Sequence, residues 1–321
     1  TSTASTCTFN LDTYEWLAII KNTTGAVEKW YWINSLYGIT KYLSSDSTAD
    51  YTTDSNVLTV SGTTFTLGST LGAKDYLVEF HKAGLASATA SDANGSINTT
   101  STSYNTTSGF AMHIIPSNSG SAGTVGNPLT LAPEWVIQKA HRVDQFACYH
   151  TGLTDATKGM QLNATSAMQT NTGFWNSTAP TASVTSLGTW DASYIKTLFT
   201  WHSVEGYSSF GSYEGNGNAN GPVISINGSP QAMFVKNIDN ANGWVVKSRI
   251  FDTGGNPLSD YLYFQQTAAV ATFTSSDVDE LSTGFKMRGT HDESNGSYTY
   301  IYGTWGGQPL TDGAINQGRA K

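Results

Sequence analysis

Short runs in which apolar and polar residues alternate recur along the whole chain. Examples are Val57–Val60, Thr64–Leu67, Phe110–Ile115 and Ser183–Leu187. Alternation with a period of two places successive side chains on opposite faces of a strand, as in a half-buried β-sheet. The best candidate for a helix, Ser275–Leu281, is short. The pattern therefore predicts an all-β protein with almost no helix.

Three strand-like runs that end in lysine divide the chain into similar parts. They end at Lys21, Lys139 and Lys236, and an aromatic-rich run follows each at nearly the same distance. Further matched strands follow at Tyr76–His81, Tyr194–Trp201 and Tyr298–Tyr302. The repeat, roughly 100–120 residues, is much longer than the period of about 20–50 residues in solenoid proteins. It indicates three tandem copies of one small β domain, an arrangement typical of binding or structural proteins.

Turn-rich stretches set the predicted domain boundaries. The segment Ala86–Ser108 is rich in Ser, Thr, Ala and Asn, which indicates a linker or a long surface loop. The predicted units are residues 1–108, which end in this segment, 109–206 and 207–321. Units of about 100 residues have the size of a small antiparallel β-sandwich. The predicted fold is therefore a tandem of antiparallel β-sandwich domains of jelly-roll type; the pattern does not say whether they pack separately.

Two Asn-Gly pairs indicate hairpin turns, because Asn-Gly readily adopts the positive φ angles that tight hairpins require. Asn242 and Gly243 lie between two apolar runs, and Asn295 and Gly296 precede the run Ser297–Tyr302. Both pairs are predicted to connect neighbouring strands.

The first unit lacks a clear opening strand. The second and third units open with a strand near Phe110 and Phe210, whereas the first has only Cys7–Phe9 in the corresponding place. We expect its opening strand to be short or cut away. The chain starts at Thr1 without an initiator Met or an apolar signal segment, which indicates either a removed leader or a fragment of a longer protein.

Composition narrows the range of partners. Of the 321 residues only 12% are charged, the net charge is −8, and no run of Lys or Arg occurs. Phosphate binding needs clustered basic residues, so no nucleic-acid partner is predicted. No apolar stretch is long enough for a membrane-spanning helix, so no membrane insertion is predicted. Cys7 and Cys148 are too few for a disulfide framework, and Cys148 is predicted to be a buried thiol.

Three segments in the middle of the chain carry a resemblance to a known family. They are Ser121–Lys139, Asn171–Gly188 and Val204–Gly217. They look like the repeated domains of tail-fibre-like virion proteins of marine tailed phages, which are similar to concanavalin A-like lectin/glucanase sandwiches. That family usually has a Gly-His-Gly-Leu step before an Ala-Pro pair. Asn127 and Pro128 stand in place of the His-Gly here, so no role of that histidine carries over.

The match is strongest over residues 109–250. The resemblance implies jelly-roll domains and a virion protein at the surface of an extracellular particle, in a structural or host-contacting role. For such a protein, with its few charges and its surface rich in Thr, Asn and Gly, we expect homo-oligomers and contacts with other virion proteins. A host-surface glycan is a further candidate partner. The resemblance identifies no catalytic residue.

The sequence contains only weak matches to the motifs of catalytic sites. Retaining glycanases need two carboxylates about 5 Å apart, and the nearest local match, Asp277–Glu280, lacks the usual Glu-x-Asp-x-x-Glu spacing. Glu79 and Glu205 each stand alone on or beside a strand. No nucleophile elbow, phosphate-binding loop or metal-type histidine spacing occurs. Accordingly, no catalytic residue, no metal site and no cofactor are predicted.

Polar loops that carry aromatic residues are candidate glycan sites. An aromatic face can lie beneath a sugar ring while Asn and Asp bind its hydroxyls. In the second unit and in the loop Gly211–Gly221, the candidate glycan-binding residues are Asn171, Trp175, Asn176, Trp190, Asp191, Tyr213 and Asn216. The alternative for these aromatic residues is that they anchor the loops.

Three functions therefore remain open. The leading hypothesis is a non-enzymatic virion structural protein: a tail fibre, an appendage or a capsid-surface component. The second is a lectin-like adhesin that binds host glycans through the loops of the second unit. The third is a polysaccharide depolymerase, for which the sequence offers the least support.

Overall fold

Antiparallel sheets make up nearly all of the protein. The computed structural model describes residues 4–24, 27–85, 94–252 and 254–306. Within these ranges the chain forms 26 strands, one α-helix and two 3-10 helices, and all strand pairs are antiparallel in the registers observed. The predicted all-β class, with almost no helix, is confirmed. None of the helices in the described ranges could span a membrane.

The first unit contains eight strands and a 3-10 helix, Ser35–Tyr37, which follows β3. The strands are β1 (Ser5–Thr6), β2 (Trp16–Asn22), β3 (Tyr31–Asn34), β4 (Lys41–Tyr42), β5 (Thr52–Thr53), β6 (Leu58–Ser61), β7 (Thr64–Leu67) and β8 (Tyr76–Lys82).

The second unit contains nine strands and the helix α1 (Thr172–Trp175), which lies between β15 and β16. The strands are β9 (Ser101–Asn105), β10 (Phe110–Ile115), β11 (Gly123–Gly126), β12 (Trp135–Ala140), β13 (Phe146–His150), β14 (Lys158–Gln161), β15 (Gln169–Thr170), β16 (Val184–Leu187) and β17 (Lys196–Trp201).

The third unit also contains nine strands, with the 3-10 helix Thr274–Ser276 between β23 and β24. The strands are β18 (Ser208–Glu214), β19 (Val223–Ser225), β20 (Ala232–Asn237), β21 (Trp244–Ser248), β22 (Asp260–Tyr263), β23 (Ala271–Thr272), β24 (Val278–Leu281), β25 (Gly284–Met287) and β26 (Thr299–Trp305).

Each unit pairs a main sheet with an outer sheet, and the outer sheet is the smaller of the two in the second and third units. The main sheets have the orders β3-β2-β8, β15-β14-β13-β12-β17-β10-β9 and β18-β26-β20-β21-β22-β23. The outer sheets are β1-β7-β6, β11-β16 and β19-β25-β24, and β4 pairs separately with β5. The three lysine-ending strands are β2, β12 and β20, and each lies beside the later matched strand of its own unit.

The repeat extends to the register of these strand pairs. Lys21 lies opposite Leu77, Lys139 opposite Thr197 and Lys236 opposite Ile301. Four residues earlier, Leu17, Trp135 and Ala232 lie opposite His81, Trp201 and Trp305. The three units are therefore equivalent residue by residue in the centre of their main sheets.

The three main sheets share one apolar core, which we call the central core. Along β12, Trp135 and Ile137 point into the central core, whereas Val136 points into the sandwich core of its own unit. Phe234 of the third unit and Ile19 of the first unit lie in the same central core. Because both faces of these strands are covered, polar positions such as Gln138 are buried as well. The three sandwiches therefore do not pack separately.

Main-chain hydrogen bonds connect each unit to the other two. The donors and acceptors are Glu28 N–H to Thr267 O at 2.9 Å, Asp144 N–H to Thr48 O at 2.8 Å, and Met168 N–H to Ile238 O at 2.8 Å. These contacts join the first unit to the third, the second to the first and the second to the third. The units thus close into a ring around the central core.

Two predictions about segments are corrected by the structure. Ser101–Asn105 forms the strand β9 at the edge of the second main sheet, so this part of the predicted linker belongs to the second unit and not to the first. Residues 86–93 of the linker lie outside the described residues. The predicted helix Ser275–Leu281 is instead a short 3-10 turn followed by the strand β24.

The two Asn-Gly predictions have different outcomes. Asn242 and Gly243 lie in the connection between the paired strands β20 and β21, so this hairpin is confirmed. Asn295 and Gly296 precede β26, but β26 does not pair with the strand before it, β25, so the second hairpin prediction is wrong. Asn295 is buried, and its side-chain amide donates to the main-chain carbonyls of Gly289 and Asn218, both at 2.8 Å.

Within the described residues, the main sheet of the first unit has no counterpart of the strand that opens the other two units. β10 pairs with β17 and β18 pairs with β26, but β8 pairs only with β2 among the described strands. The strand β1 lies in the outer sheet, beside β7. The place that β10 and β18 take in the other two units is therefore not taken beside β8 by any strand of the described ranges.

Candidate functional site

A cleft of about 850 Å³ opens beside β8, where the first unit meets residues 104–108 and 204–207. Its volume lies in the range of small-molecule sites, roughly 300–1,000 Å³. Aromatic rings dominate its wall, and they come from segments far apart in the chain: Phe9, Tyr14, Phe80, Tyr104 and Tyr207. Sequence reasoning did not find this cleft, because no local motif connects these residues.

Lys82 anchors one wall of the cleft. Its ammonium lies over the ring of Tyr14, 3.8 Å from the ring centroid, and 5.5 Å from that of Phe9. Such a cation–π contact holds the charge in place at the wall of the cleft. Phe9 also meets Phe80 edge to face, with 6.4 Å between the ring centroids. The wall is therefore a preformed aromatic surface with one fixed positive charge.

Polar groups occupy the rim. The Ser108 hydroxyl donates to the carbonyl of Lys82 at 2.8 Å, and the side-chain carbonyl of Asn105 accepts the N–H of Thr107 at 2.9 Å. Tyr104 is 45% exposed, and Glu205 is exposed as well. Apolar faces with hydroxyl and amide groups around them suit a polyhydroxylated ligand, and Lys82 would favour a ligand that carries a carboxylate.

A partly buried acid lies on the opposite face of β8. Glu79 occupies the position that Phe199 holds in β17 and Gly303 in β26. Burial raises the pKa of its carboxyl to about 7. The Nε2 atom of His81 is 3.8 Å from the carboxylate, but burial lowers the pKa of His81 to about 3, so the imidazole is neutral. Burial and the charge of Glu79 raise the pKa of Tyr207 to about 12.

Five of the predicted glycan-binding residues lie around α1, but they do not form a surface that a ligand could contact. Trp175 is fully buried in the core of the second unit, so neither face of its ring is available to a sugar. Asn171 caps α1, its side-chain carbonyl accepting the N–H of Gly173 at 3.1 Å. Trp190 packs against Phe174 with 5.3 Å between the ring centroids. Anchoring of the helical turn explains these residues.

The two neighbouring polar candidates differ in exposure. Asn176 ends α1 in the left-handed conformation, with a φ of 50°, and is exposed. The carboxylate of Asp191 is nearly buried and lies 3.3 Å from the Nη1 atom of Arg142. Burial, followed by the interaction with Asp144, raises the pKa of Asp191 to about 6. Asp191 is therefore engaged within the protein, and only Asn176 faces solvent freely.

Tyr213 and Asn216 lie in the third unit, apart from the other candidates. Tyr213 is buried and stacked on Tyr300, with 5.1 Å between the ring centroids. The side-chain amide of Asn216 donates to the main-chain carbonyl of Asn220 at 3.1 Å, within the same loop. The seven candidates thus do not form one site.

The three repeated lysines are fully buried in the main sheets. The ammonium of Lys139 donates to the main-chain carbonyls of Ala140 and Arg142, at 2.9 Å and 2.6 Å. Lys236 donates to the carbonyl of Asn237 at 2.6 Å, and Lys21 donates to that of Glu28. Burial lowers the pKa to about 8 for Lys21 and Lys139 and to about 7 for Lys236. They cap loop carbonyls beneath the surface and are structural.

Two of the three acids in the weak glycanase match, Asp277–Glu280, form ion pairs with arginines. The carboxylate of Asp279 lies 3.4 Å from Arg288, and that of Glu280 lies 3.1 Å from Arg249. Within the described ranges, no group of three or more His, Cys, Asp or Glu residues is arranged to hold a metal ion.

Residues 1–309 match the family described as Domain of unknown function (DUF7483), which covers nearly the whole sequence. No curated protein and no solved structure matches the chain.

Proposed function

The chain belongs to the DUF7483 family, and we propose that this member is a non-enzymatic structural protein of a virion. It would serve as part of a tail fibre, an appendage or the capsid surface, and contact the host or other virion proteins. One observation carries the proposal: the three repeated units share a single core, so that the chain forms one closed block. A repeated fold built around its own interior suits a structural role.

Surface chemistry is consistent with such a role. Charged residues make up only 12% of the chain, and Gly, Ser, Thr and Asn are abundant. A surface with few charges loses little solvation when it is covered by a neighbouring subunit. The proposal therefore includes homo-oligomers and contacts with other virion proteins, and it agrees with the resemblance of residues 109–250 to phage tail-fibre-like domains.

Antibody labelling of intact particles with electron microscopy tests the location. Labelling at protruding fibres or at the tail supports a host-contacting part, and uniform labelling over the shell supports a surface component. Absence of the protein from purified particles contradicts the virion proposal.

The cleft beside β8 favours a second function, a lectin-like adhesin for host glycans. Its aromatic wall and fixed lysine charge form a more open ligand surface than the loops predicted from the sequence. Acidic glycans are the best chemical match, because a carboxylate would meet Lys82.

A glycan array and cell-binding assays test this second function. Lys82→Ala and Tyr104→Ala should each reduce saturable binding about five- to thirtyfold, since one charged or aromatic contact is worth about 1–2 kcal/mol. Tyr194→Ala is the matched control, because Tyr194 is similarly exposed at 42% but lies outside the cleft. Binding that is unchanged in the cleft variants removes the cleft from consideration. Release of reducing ends from host polysaccharide would instead favour a depolymerase.

A further inference from the structure

The second unit buries a lysine and a glutamine side by side in its main sheet. Gln138 lies on β12, and Lys196 is the first residue of the neighbouring strand β17. Lys196 lies opposite Ala140, so Gln138 is its diagonal neighbour on the same face of the sheet. Both side chains are buried, on the face that Val136 and Leu198 turn towards the sandwich core of the unit.

The other two units carry apolar or aromatic residues at both equivalent positions. The register places them at Ile20 and Tyr76 in the first unit and at Val235 and Tyr300 in the third. The second unit therefore departs from the repeat at two positions that touch each other. Burial of an amide and an ammonium in place of hydrocarbon costs stability, so this pair is expected to have a use of its own.

The amine and the amide are in contact and are held in fixed orientations. The Nζ atom of Lys196 lies 3.4 Å from Oε1 of Gln138. The Nε2 group of Gln138 donates to the carbonyl of Phe174 at 2.9 Å, and Lys196 also donates to the carbonyl of Trp190. Reacting atoms about 3–3.5 Å apart are close to an attack geometry. Because the amide carbon Cδ is bonded to Oε1, a small rotation of the lysine side chain brings Nζ to it.

Burial also makes the amine of Lys196 a nucleophile. Desolvation lowers its pKa from 10.5 to about 8. A fraction of the side chain is therefore uncharged at neutral pH, and the uncharged amine has the lone pair that attack on a carbonyl carbon requires.

A carboxyl group and a small cavity lie beside the pair. Asp191 interacts electrostatically with Lys196, and its Oδ2 atom is buried with no hydrogen-bond donor among the described groups. Burial raises the pKa of Asp191 to about 6, so this carboxyl can take up and release a proton near neutral pH. A cavity of about 10 Å³, lined in part by Leu187, Ala192 and Lys196, has room for about one molecule of the size of water or ammonia.

We propose that Lys196 and Gln138 form an isopeptide bond, which joins β12 to β17 covalently. Nζ attacks Cδ, the bond between Nζ and Cδ forms, the bond between Cδ and Nε2 breaks, and Nε2 leaves as ammonia. One proton of the attacking amine passes by way of Asp191 to the leaving nitrogen. The step consumes no oxidant, reductant or second substrate. Its product is a neutral amide, so the sheet no longer holds a buried charge at this place.

Intact-mass spectrometry of the denatured full chain measures this bond directly. The unaltered chain should weigh about 17 Da less than its sequence requires, which is the mass of one ammonia. A proteolytic digest should contain one pair of peptides that are joined between Lys196 and Gln138. A folded chain that has its full sequence mass overturns the proposal, and this measurement needs no variant.

Variants locate the source of the mass deficit. Lys196→Met and Gln138→Leu should each have their full sequence mass, whereas Lys286→Met should keep the deficit of about 17 Da. Lys286 is the matched control, because its ammonium also contacts a side-chain amide, that of Asn220 at 2.6 Å, but at the surface. A deficit that persists in Lys196→Met, such as cyclisation of an Asn-Gly pair would give, overturns the proposal.

Asp191→Asn tests the path of the proton. Asn tolerates the positive φ of 52° at this position. In newly synthesised, pulse-labelled chains of this variant, the mass deficit should appear at least about tenfold more slowly than in the unaltered chain. Arg142→Met is the control, since it breaks the ion pair with Asp191 but keeps the carboxyl. An unchanged rate in Asp191→Asn, or an equal slowing in both variants, overturns the role of Asp191.

Discussion

The indole N–H of Trp30 donates a hydrogen bond to the main-chain carbonyl of Tyr263, 2.8 Å away, across the junction of the first and third units. Trp244 makes the matching bond to Gln161 O, at 3.0 Å, across the junction of the third and second units. At the third junction the equivalent residue is Phe146, whose side chain has no N–H to donate. An aromatic ring thus occupies this position at all three junctions between units. The indole hydrogen bond is present at two of them.

Trp30→Phe tests the strength of this bond between units. The variant leaves the Tyr263 carbonyl without its indole donor, and loss of one hydrogen bond typically costs about 0.5–1.5 kcal/mol. Trp32→Phe is the matched control, because Trp32 is fully buried in the same sheet but its indole N–H has no partner in the described part of the chain. Urea unfolding should show a loss for Trp30→Phe that exceeds the loss for Trp32→Phe by about 1 kcal/mol. Equal losses would mean that packing alone stabilises the junction.

Trp135→Ala tests whether the three units unfold together. Trp135 is fully buried, and its ring contacts Trp201 of its own unit and Phe234 and Trp305 of the third. Removal of a buried Trp side chain costs about 3–5 kcal/mol. Because the core is shared, the slowest-exchanging amides of β2, β12 and β20 should all lose the same amount of protection in native-state hydrogen exchange. A loss confined to β12 would indicate independently unfolding units.

Lys236→Met tests the effect of the buried lysines on the pH dependence of stability. Burial lowers the pKa of Lys236 to about 7 from its usual 10.5. Between these pH values the unfolded chain binds a proton that the folded protein has released, so the free energy of unfolding rises with pH across this window. Lys236→Met should make that rise shallower between pH 7 and pH 9.5, measured by urea unfolding. Lys74→Met, at an exposed position, should leave the slope unchanged.

Glu79→Gln tests the partly buried acid of β8, whose effect on the pH dependence of stability is opposite in sign to that of Lys236. Desolvation raises the pKa of Glu79 from 4.5 to about 7. Its contribution to stability is complete below pH 4.5 and is lost as the pH rises through 7, because the folded protein must then ionise a partly desolvated carboxyl. The variant should be more stable relative to the native protein at pH 8 than at pH 5. Glu205→Gln, at an exposed position, should show no such difference between the two pH values.

The sequence predicted correctly those features in which the pattern of side chains is set within a single strand. The lysine-ending runs and their matched partners became the paired centres of the three main sheets, because the alternation of side chains is local. It failed for Ser101–Asn105, since this Ser- and Thr-rich strand lies at a sheet edge and pairs with no described strand other than β10. Main-chain pairing stabilises such a strand without an apolar signature. It also did not reveal the burial of Trp175, because a polar loop sequence does not show that the ring turns inward.

The sequence by itself determined the all-β class and the threefold repetition of the lysine-ending strands, since both depend on spacing and alternation along the chain. Only the tertiary structure decided that the three main sheets face one another and share the central core. A strand that is apolar on both faces can belong to a buried sheet within one domain or to an interface between domains. The same sequence pattern is expected in both cases, so the pattern cannot distinguish them. The cleft beside β8 has the same origin: Phe9, Lys82, Tyr104 and Tyr207 come together only because the ring of sheets brings distant segments to one edge.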